Sequence, residues 1–181
     1  LAYLILKQQD AAGVVTFSNR IESFVPPRAK RDYLTQILHA LENRGPAGET
    51  NVGRILGDIA GQIKRRGLIV LVSDLLDEPA EILKGLRYFR FKGNDVIVFH
   101  LLDPAELSLP FDGNILFEDL EALNLQVITD PRTIRTTYQQ VVNEFITDMR
   151  QQCHDNAIDY QMISTATPLD QALASYLSWR G

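Results

Sequence analysis

The sequence predicts an α/β domain: a mainly parallel open sheet in a three-layer, Rossmann-like arrangement, with helices on both faces and one antiparallel edge hairpin. Three observations predict it. The apolar runs Leu68-Ile69-Val70-Leu71-Val72 and Val96-Ile97-Val98-Phe99 lack alternation, the mark of strands buried on both faces. Segments of helical apolar spacing separate the strands, which implies parallel pairing through right-handed crossovers. The length of 181 residues suits one core, so residues 1–181 are expected to form a single domain.

Leu1 to Gln9 reads as the end of a helix, with Leu1, Leu4 and Ile5 on one face. Gly13 to Phe17 is a strand, Ser18-Asn19-Arg20 a tight turn, and Ile21 to Val25 the returning arm, halted by Pro26-Pro27. Arg31 to Asn43 is a helix carrying Tyr33, Leu34, Ile37, Leu38 and Leu41, followed by the loop Gly45-Pro46-Ala47-Gly48. Thr50 or Asn51 caps the next helix, which buries Val52, Ile55, Leu56, Ile59 and Ile63. Lys64-Arg65-Arg66 falls in its last turn and Gly67 closes it.

After the strand Leu68 to Val72, a helix begins at Asp77-Glu78-Pro79 and presents Ile82, Leu83, Leu86 and Phe89. Asp95 to Leu102 is the second doubly buried strand, and Asp103 starts a short helical turn. Ile115 to Phe117 and Leu125 to Ile128 read as short strands that pair with each other. Pro131 opens the longest helix, to about Asp155, with Ile134, Tyr138, Val141, Val142, Phe145, Ile146 and Met149 as its apolar stripe. Tyr160 to Ile163 is a last strand and Pro168 opens a last helix.

Bulk properties exclude some functions. A net charge of −5 and a pI near 5.2 argue against a nucleic-acid binder, which needs cations for phosphates. The single Cys153 rules out an internal disulfide and suits a reducing compartment, so a cytoplasmic location is expected. Its polar flanks predict a partly exposed, unreactive thiol. No apolar run approaches the roughly 20 residues that cross a bilayer. The chain opens at Leu1 within an amphipathic stretch, which leaves an upstream anchor or domain open.

Open sheets of this kind bind ligands beyond the carboxyl ends of their strands, which points to Ser18, Ser73, Asp74, Leu102, Asp103 and the loop before Thr50. Asp74 and Asp77 are a candidate carboxylate pair, although Asp77 more simply caps the helix after it. Asp74 has its own bland reading, a strand-end carboxylate bonded to backbone N–H groups. His100 reads as a hydrogen-bonded core or rim histidine, and His39 and His154 as exposed helix residues. There is no Gly-x-Ser-x-Gly elbow, phosphate-binding glycine loop or Cys/His metal spacing, so no catalytic residue is assigned and a non-enzyme is expected.

Three phrases carry a family resemblance: Gln9 to Phe17, Arg65 to Asp77, and Asp95 to Glu106 followed by Leu109-Pro110-Phe111-Asp112-Gly113. In this order they resemble the bacterial domain-of-unknown-function family number fifty-eight, whose members are von Willebrand factor type A-like. The resemblance implies a metal-ion-dependent adhesion site with Thr50 and Asp74 as ligands and Ser73 adjacent. The Asp-x-Ser-x-Ser element of such sites is absent, and the resemblance places it, with the first strand, upstream of Leu1. It thus implies a partial site, with Mg²⁺ held in an intact protein and only weakly by residues 1–181.

The resemblance further implies a protein–protein interaction module, with a MoxR-type AAA+ ATPase as the partner to expect. Two alternatives stand beside it. One is a metal-independent scaffold that binds through helix faces or the segment from Ser108 to Asp130. The other is a metal-dependent hydrolase using Asp74 and Asp77. A missing first strand would leave unpaired edges on the strands at Gly13–Phe17 and Leu68–Val72, so self-association is expected.

Overall fold

The computed structural model describes residues 1–42, 52–118, 126–168 and 170–174. The elements run α1 (Ala2–Lys7), β1 (Ala12–Phe17), β2 (Ile21–Arg28), α2 (Tyr33–Glu42), α3 (Val52–Gln62), β3 (Leu68–Ser73), α4 (Pro79–Phe91), β4 (Asp95–Leu102), α5 (Pro104–Ser108), β5 (Ile115–Glu118), β6 (Gln126–Thr129), α6 (Pro131–Asp155) and β7 (Asp159–Ser164). Residues 170–174 are helical.

The central sheet has the order β3-β4-β7 and is parallel throughout. β4 is the middle strand, and Val96 to His100 are all buried, as its unbroken apolar run predicts. On one face Leu71, Val96, Val98 and Tyr160 pack under α3, α4 and α6, where Leu56, Ile82, Leu86, Phe89 and Met149 complete the main core. The other face is smaller: Ile97 and Phe99 meet Val70, Ile163 and Leu173.

β3 departs from expectation. Only Leu71 is fully buried; Leu68 is 48% exposed and Val72 55%. The reason is position. Among the described residues β3 pairs with β4 alone, so one edge and part of one face lack cover. The expected edge hairpin also stands apart: β1 and β2 form their own antiparallel sheet, unbonded to β3. Ala12 and Val14 face α1 and α2, with Leu6, Tyr33 and Ile37, while Val15, Phe17 and Ile21 lean on the main core. Between these surfaces the Thr16 hydroxyl is buried without a hydrogen-bond partner among the described residues.

Local chemistry explains further differences. β2 runs through Pro26-Pro27 instead of stopping at Val25. Its register shifts opposite Gly13, where a Cβ would lie 2.6 Å from the Val25 carbonyl oxygen, and Tyr33 donates to the Pro26 carbonyl. Prolines persist here because a two-stranded hairpin has only edge strands. Helix α3 ends at Gln62, so Lys64-Arg65-Arg66 lies beyond it. Gly67 is no helix cap; it starts β3, donating to Asn94 Oδ1 while its carbonyl accepts from Asp95 N–H. β5 and β6 pair antiparallel, as expected.

Cys153 is fully buried, not partly exposed. It follows Met149 by one turn on the inward stripe of α6, and burial raises the thiol to about 12, well above reactive values.

Candidate functional site

Helix α6 has 25 residues and β7 has 6. At about 1.5 Å per helical residue and 3.3 Å per strand residue, the helix is nearly twice as long as the strand. Its carboxyl half, with Ile146, Met149 and Cys153, is buried against the sheet. Its amino half overhangs the carboxyl end of the strands. This half of the expected apolar stripe is therefore not core: Ile134 is exposed and Val141 is 58% exposed. Arg135 ties this overhang to the Leu109 and Phe111 carbonyls and to Asp112, and Gln139 reaches the Ser108 carbonyl.

Beneath the overhang, the chain leaving β3 makes a tight turn. The Leu75 N–H donates to Ser73 Oγ at 3.1 Å, and the Asp77 N–H donates to the Leu75 carbonyl at 2.9 Å. Leu75 has φ of +55°, a region L side chains avoid. Its side chain is wholly buried, and that anchor holds the unfavourable backbone in place. Asp74 and Leu76, on either side of it, are thrown outward; Leu76 is 70% exposed.

His100 pins this turn to the sheet. Its Nε2 lies 2.9 Å from the Asp74 carbonyl oxygen and its Nδ1 lies 2.6 Å from the Tyr160 hydroxyl. A carbonyl can only accept, so Nε2 carries the proton and Nδ1 accepts from Tyr160. Both ring nitrogens are satisfied in the neutral form, and burial lowers the pKa, outweighing the Asp74 carbonyl and carboxylate, which raise it. The expected hydrogen-bonded core histidine is what the structure shows.

A pH effect follows. The unfolded chain protonates near the ordinary value of about 6.5, while the folded one resists. Stability from this site is therefore present above that pH and lost as pH falls toward the lowered folded value. Urea midpoints measured at pH 7.5 and 5 should drop, and the drop should shrink in His100→Phe.

Asp77 has a different role from the one expected. Its Oδ2 accepts from the Val52 N–H at 2.6 Å and its Oδ1 from the Glu78 N–H at 2.7 Å. The carboxylate caps α3, which precedes β3, more than the helix that follows it; Glu78 occupies the N-cap of α4 and makes no side-chain cap bond. Asp77→Ala should lower stability by about 1 kcal/mol, read from urea denaturation, with Asp77→Asn retaining most of it.

The other sequence-nominated positions separate. Asp103 ends β4, closes a capping box on α5 with Glu106 and accepts from Thr165 Oγ1. The Ala105 N–H, then Thr165, hold its pKa below the usual carboxylate range. Ser18 lies in the β1–β2 turn, outside the cleft described next. Thr50 lies outside the described residues.

Asp74, Leu76, Asp77, Glu106, Tyr138 and Val141 surround a cleft of about 340 Å³, with His100 and Leu102 at its base. Sequence reasoning found Asp74, Asp77 and Leu102 but missed Leu76, Glu106, Tyr138 and Val141 as a surface. The signal available was the length of the α6 stripe, too long for the strands it covers.

The donor set fits part of a magnesium shell. The ion takes about six oxygens, some from water. Asp74 is exposed, and its Oδ1 receives two long hydrogen bonds of 3.4 Å, from Ser73 Oγ and the Leu76 N–H. The carboxylate and the Ser73 hydroxyl are hard oxygen donors on adjacent residues. Among the described residues no three His, Cys, Asp or Glu side chains are grouped to hold a metal ion.

A family model described as protein of unknown function DUF58 matches residues 1–146, and the chain belongs to that family. The uncharacterized protein Rv1480 of Mycobacterium tuberculosis (strain H37Rv) is 29% identical over 107 residues, 54% of this chain and 31% of the relative. The match thus spans about a third of that relative's length. Two solved structures share the fold. The conserved hypothetical protein BatB of Bacteroides thetaiotaomicron has a TM-score of 0.60 at 15% identity, covering 98% of this chain and 83% of that one. An aerotolerance-related membrane protein of Bacteroides fragilis, with multiple mutations to serines, has a TM-score of 0.55 at 16% identity, covering 97% and 85%. Among the described residues of this chain no helix is long and apolar enough to cross a membrane.

Proposed function

We propose that this domain is a protein-interaction module of von Willebrand factor A-like type that docks its partner at the carboxyl end of the sheet, with a MoxR-type AAA+ ATPase as the partner. One observation carries the reading: an exposed carboxylate, Asp74, stands beside exposed apolar groups, Leu76 and Val141, around an open cleft held by a strained, anchored turn. Exposed apolar surface rimmed by polar groups marks interaction sites. The satisfied, neutral His100 favours binding over acid–base chemistry, because it holds no proton in play.

In this reading Asp74 and Ser73 contribute oxygens to a magnesium ion, Thr50 adds a hydroxyl, and a carboxylate of the partner completes the shell. The ion would supply a charge-assisted, reversible link between the two proteins. Leu76, Tyr138 and Val141 supply apolar contact beside it.

Surface plasmon resonance against a MoxR-type ATPase tests this. Binding should weaken at least about tenfold with EDTA and in Asp74→Ala, and fall in Leu76→Asp. Asp74 is exposed, so Asp74→Ala should change stability little. Binding lost in Leu76→Asp but indifferent to EDTA and Asp74→Ala would favour the metal-independent scaffold.

A further inference from the structure

Helices α3 and α4 touch unusually closely, because Gly53 packs on the Glu81 backbone and Gly85 on Leu56. Gly57, one turn after Gly53 on α3, has no such reason to be glycine. A Cβ built there meets nothing within 4 Å. Glycine inside a helix costs stability relative to alanine, so its retention calls for something other than packing within this chain. What its missing side chain does is open a groove of about 650 Å³ along the two helices.

The groove is chemically distinct. Tyr88 and Phe91 line it, and Phe91 is 87% exposed, more than any other large hydrophobic side chain described. Its charged lining is Arg54, Lys84 and Arg87 against Glu81, which pairs with Lys84. The chain as a whole carries −5, so this face opposes the sign of the molecule. Aromatic anchors, a backbone floor and a basic rim complement an apolar ridge edged with carboxylates. A groove between two helices fits a third helix.

We infer that the α3–α4 groove docks an acidic amphipathic helix of a partner protein, its apolar ridge over Gly57 between Tyr88 and Phe91 and its carboxylates facing Arg54 and Arg87. This surface is separate from the sheet-end cleft and independent of Asp74.

The probes are two synthetic helical peptides of Leu and Ala, one with Glu and one with Lys at its exposed positions, followed by fluorescence anisotropy. The Glu peptide should bind at least about tenfold more tightly than the Lys peptide, with salt weakening it. Gly57→Leu should raise the melting temperature yet abolish binding, a pairing that loss of fold cannot produce. Arg54→Glu with Arg87→Glu should reverse the preference. Equal affinity for both peptides, no binding of either, or full binding by Gly57→Leu would overturn the inference. So would self-association abolished by Gly57→Leu, which would make the occupant a second copy. Capture of phosphatidylglycerol vesicles in place of the Glu peptide would make it a membrane surface and equally overturn the inference.

Discussion

Gly53→Ala is expected to lower the melting temperature by several degrees, although alanine favours helices. The new Cβ would lie 2.5 Å from the carbonyl carbon and oxygen of Glu81, and backbone cannot step aside as a flexible side chain can. The helices must part, opening the packing of Leu56, Ile82 and Leu86 beneath them. Such overpacking costs about 1–3 kcal/mol. For a chain of this size each kcal/mol moves the midpoint by roughly 2–4 °C. Gly57→Ala, four residues away in the same helix, should have the opposite sign, since its Cβ meets open space. Thermal denaturation of the pair followed by circular dichroism checks both. Equal stability of Gly53→Ala and the parent would mean that α3 and α4 are not in backbone contact.

Purified residues 1–181 are expected to self-associate through β3. Its free edge presents unpaired N–H and C=O groups, and Leu68 and Val72 stand about half exposed beside them. Such an edge is a template for another strand. The β1–β2 hairpin lies against the same core without pairing to β3, and the buried Thr16 hydroxyl lacks a partner there. A strand inserted between them would pair with β3 and bring backbone groups toward Thr16. Sedimentation velocity should show a concentration-dependent rise in mass, and Val72→Lys should shift the chain toward monomer by placing a charge on the edge. A monomer at all concentrations, with cooperative unfolding, would contradict this.

The parts legible in the sequence were those set by local chemistry. β4 is buried on both faces because it is the middle strand, and its apolar run says so. The capping box at Asp103 and Glu106 and the start of α6 at Pro131 follow from short-range rules. Burial was harder. Leu68 to Val72 reads like Val96 to Phe99, yet β3 lies at an edge, because strand order is a long-range property. The overhang of α6 likewise depends on what the helix packs against, so Val141 reads as core and lies half in solvent.

The candidate site was legible only in part, for the same reason. Asp74 and Asp77 stand at a strand end, where ligands are expected, but nothing local says that Asp77 reaches back 25 residues to cap α3. The positive φ of Leu75 was invisible because leucine ordinarily avoids it; burial of its side chain enforces it. His100 was readable as a core residue, though its link to Tyr160 joins strands 60 residues apart.

The docking surface is tested most directly by amide hydrogen exchange of the chain with and without a MoxR-type ATPase in magnesium. The predicted result is slowed exchange in residues 73–77 and in the amino half of α6, about residues 138–145, abolished by Asp74→Ala. Protection confined to other surfaces, or unchanged by Asp74→Ala, would contradict a cation-assisted site at the carboxyl end of the sheet.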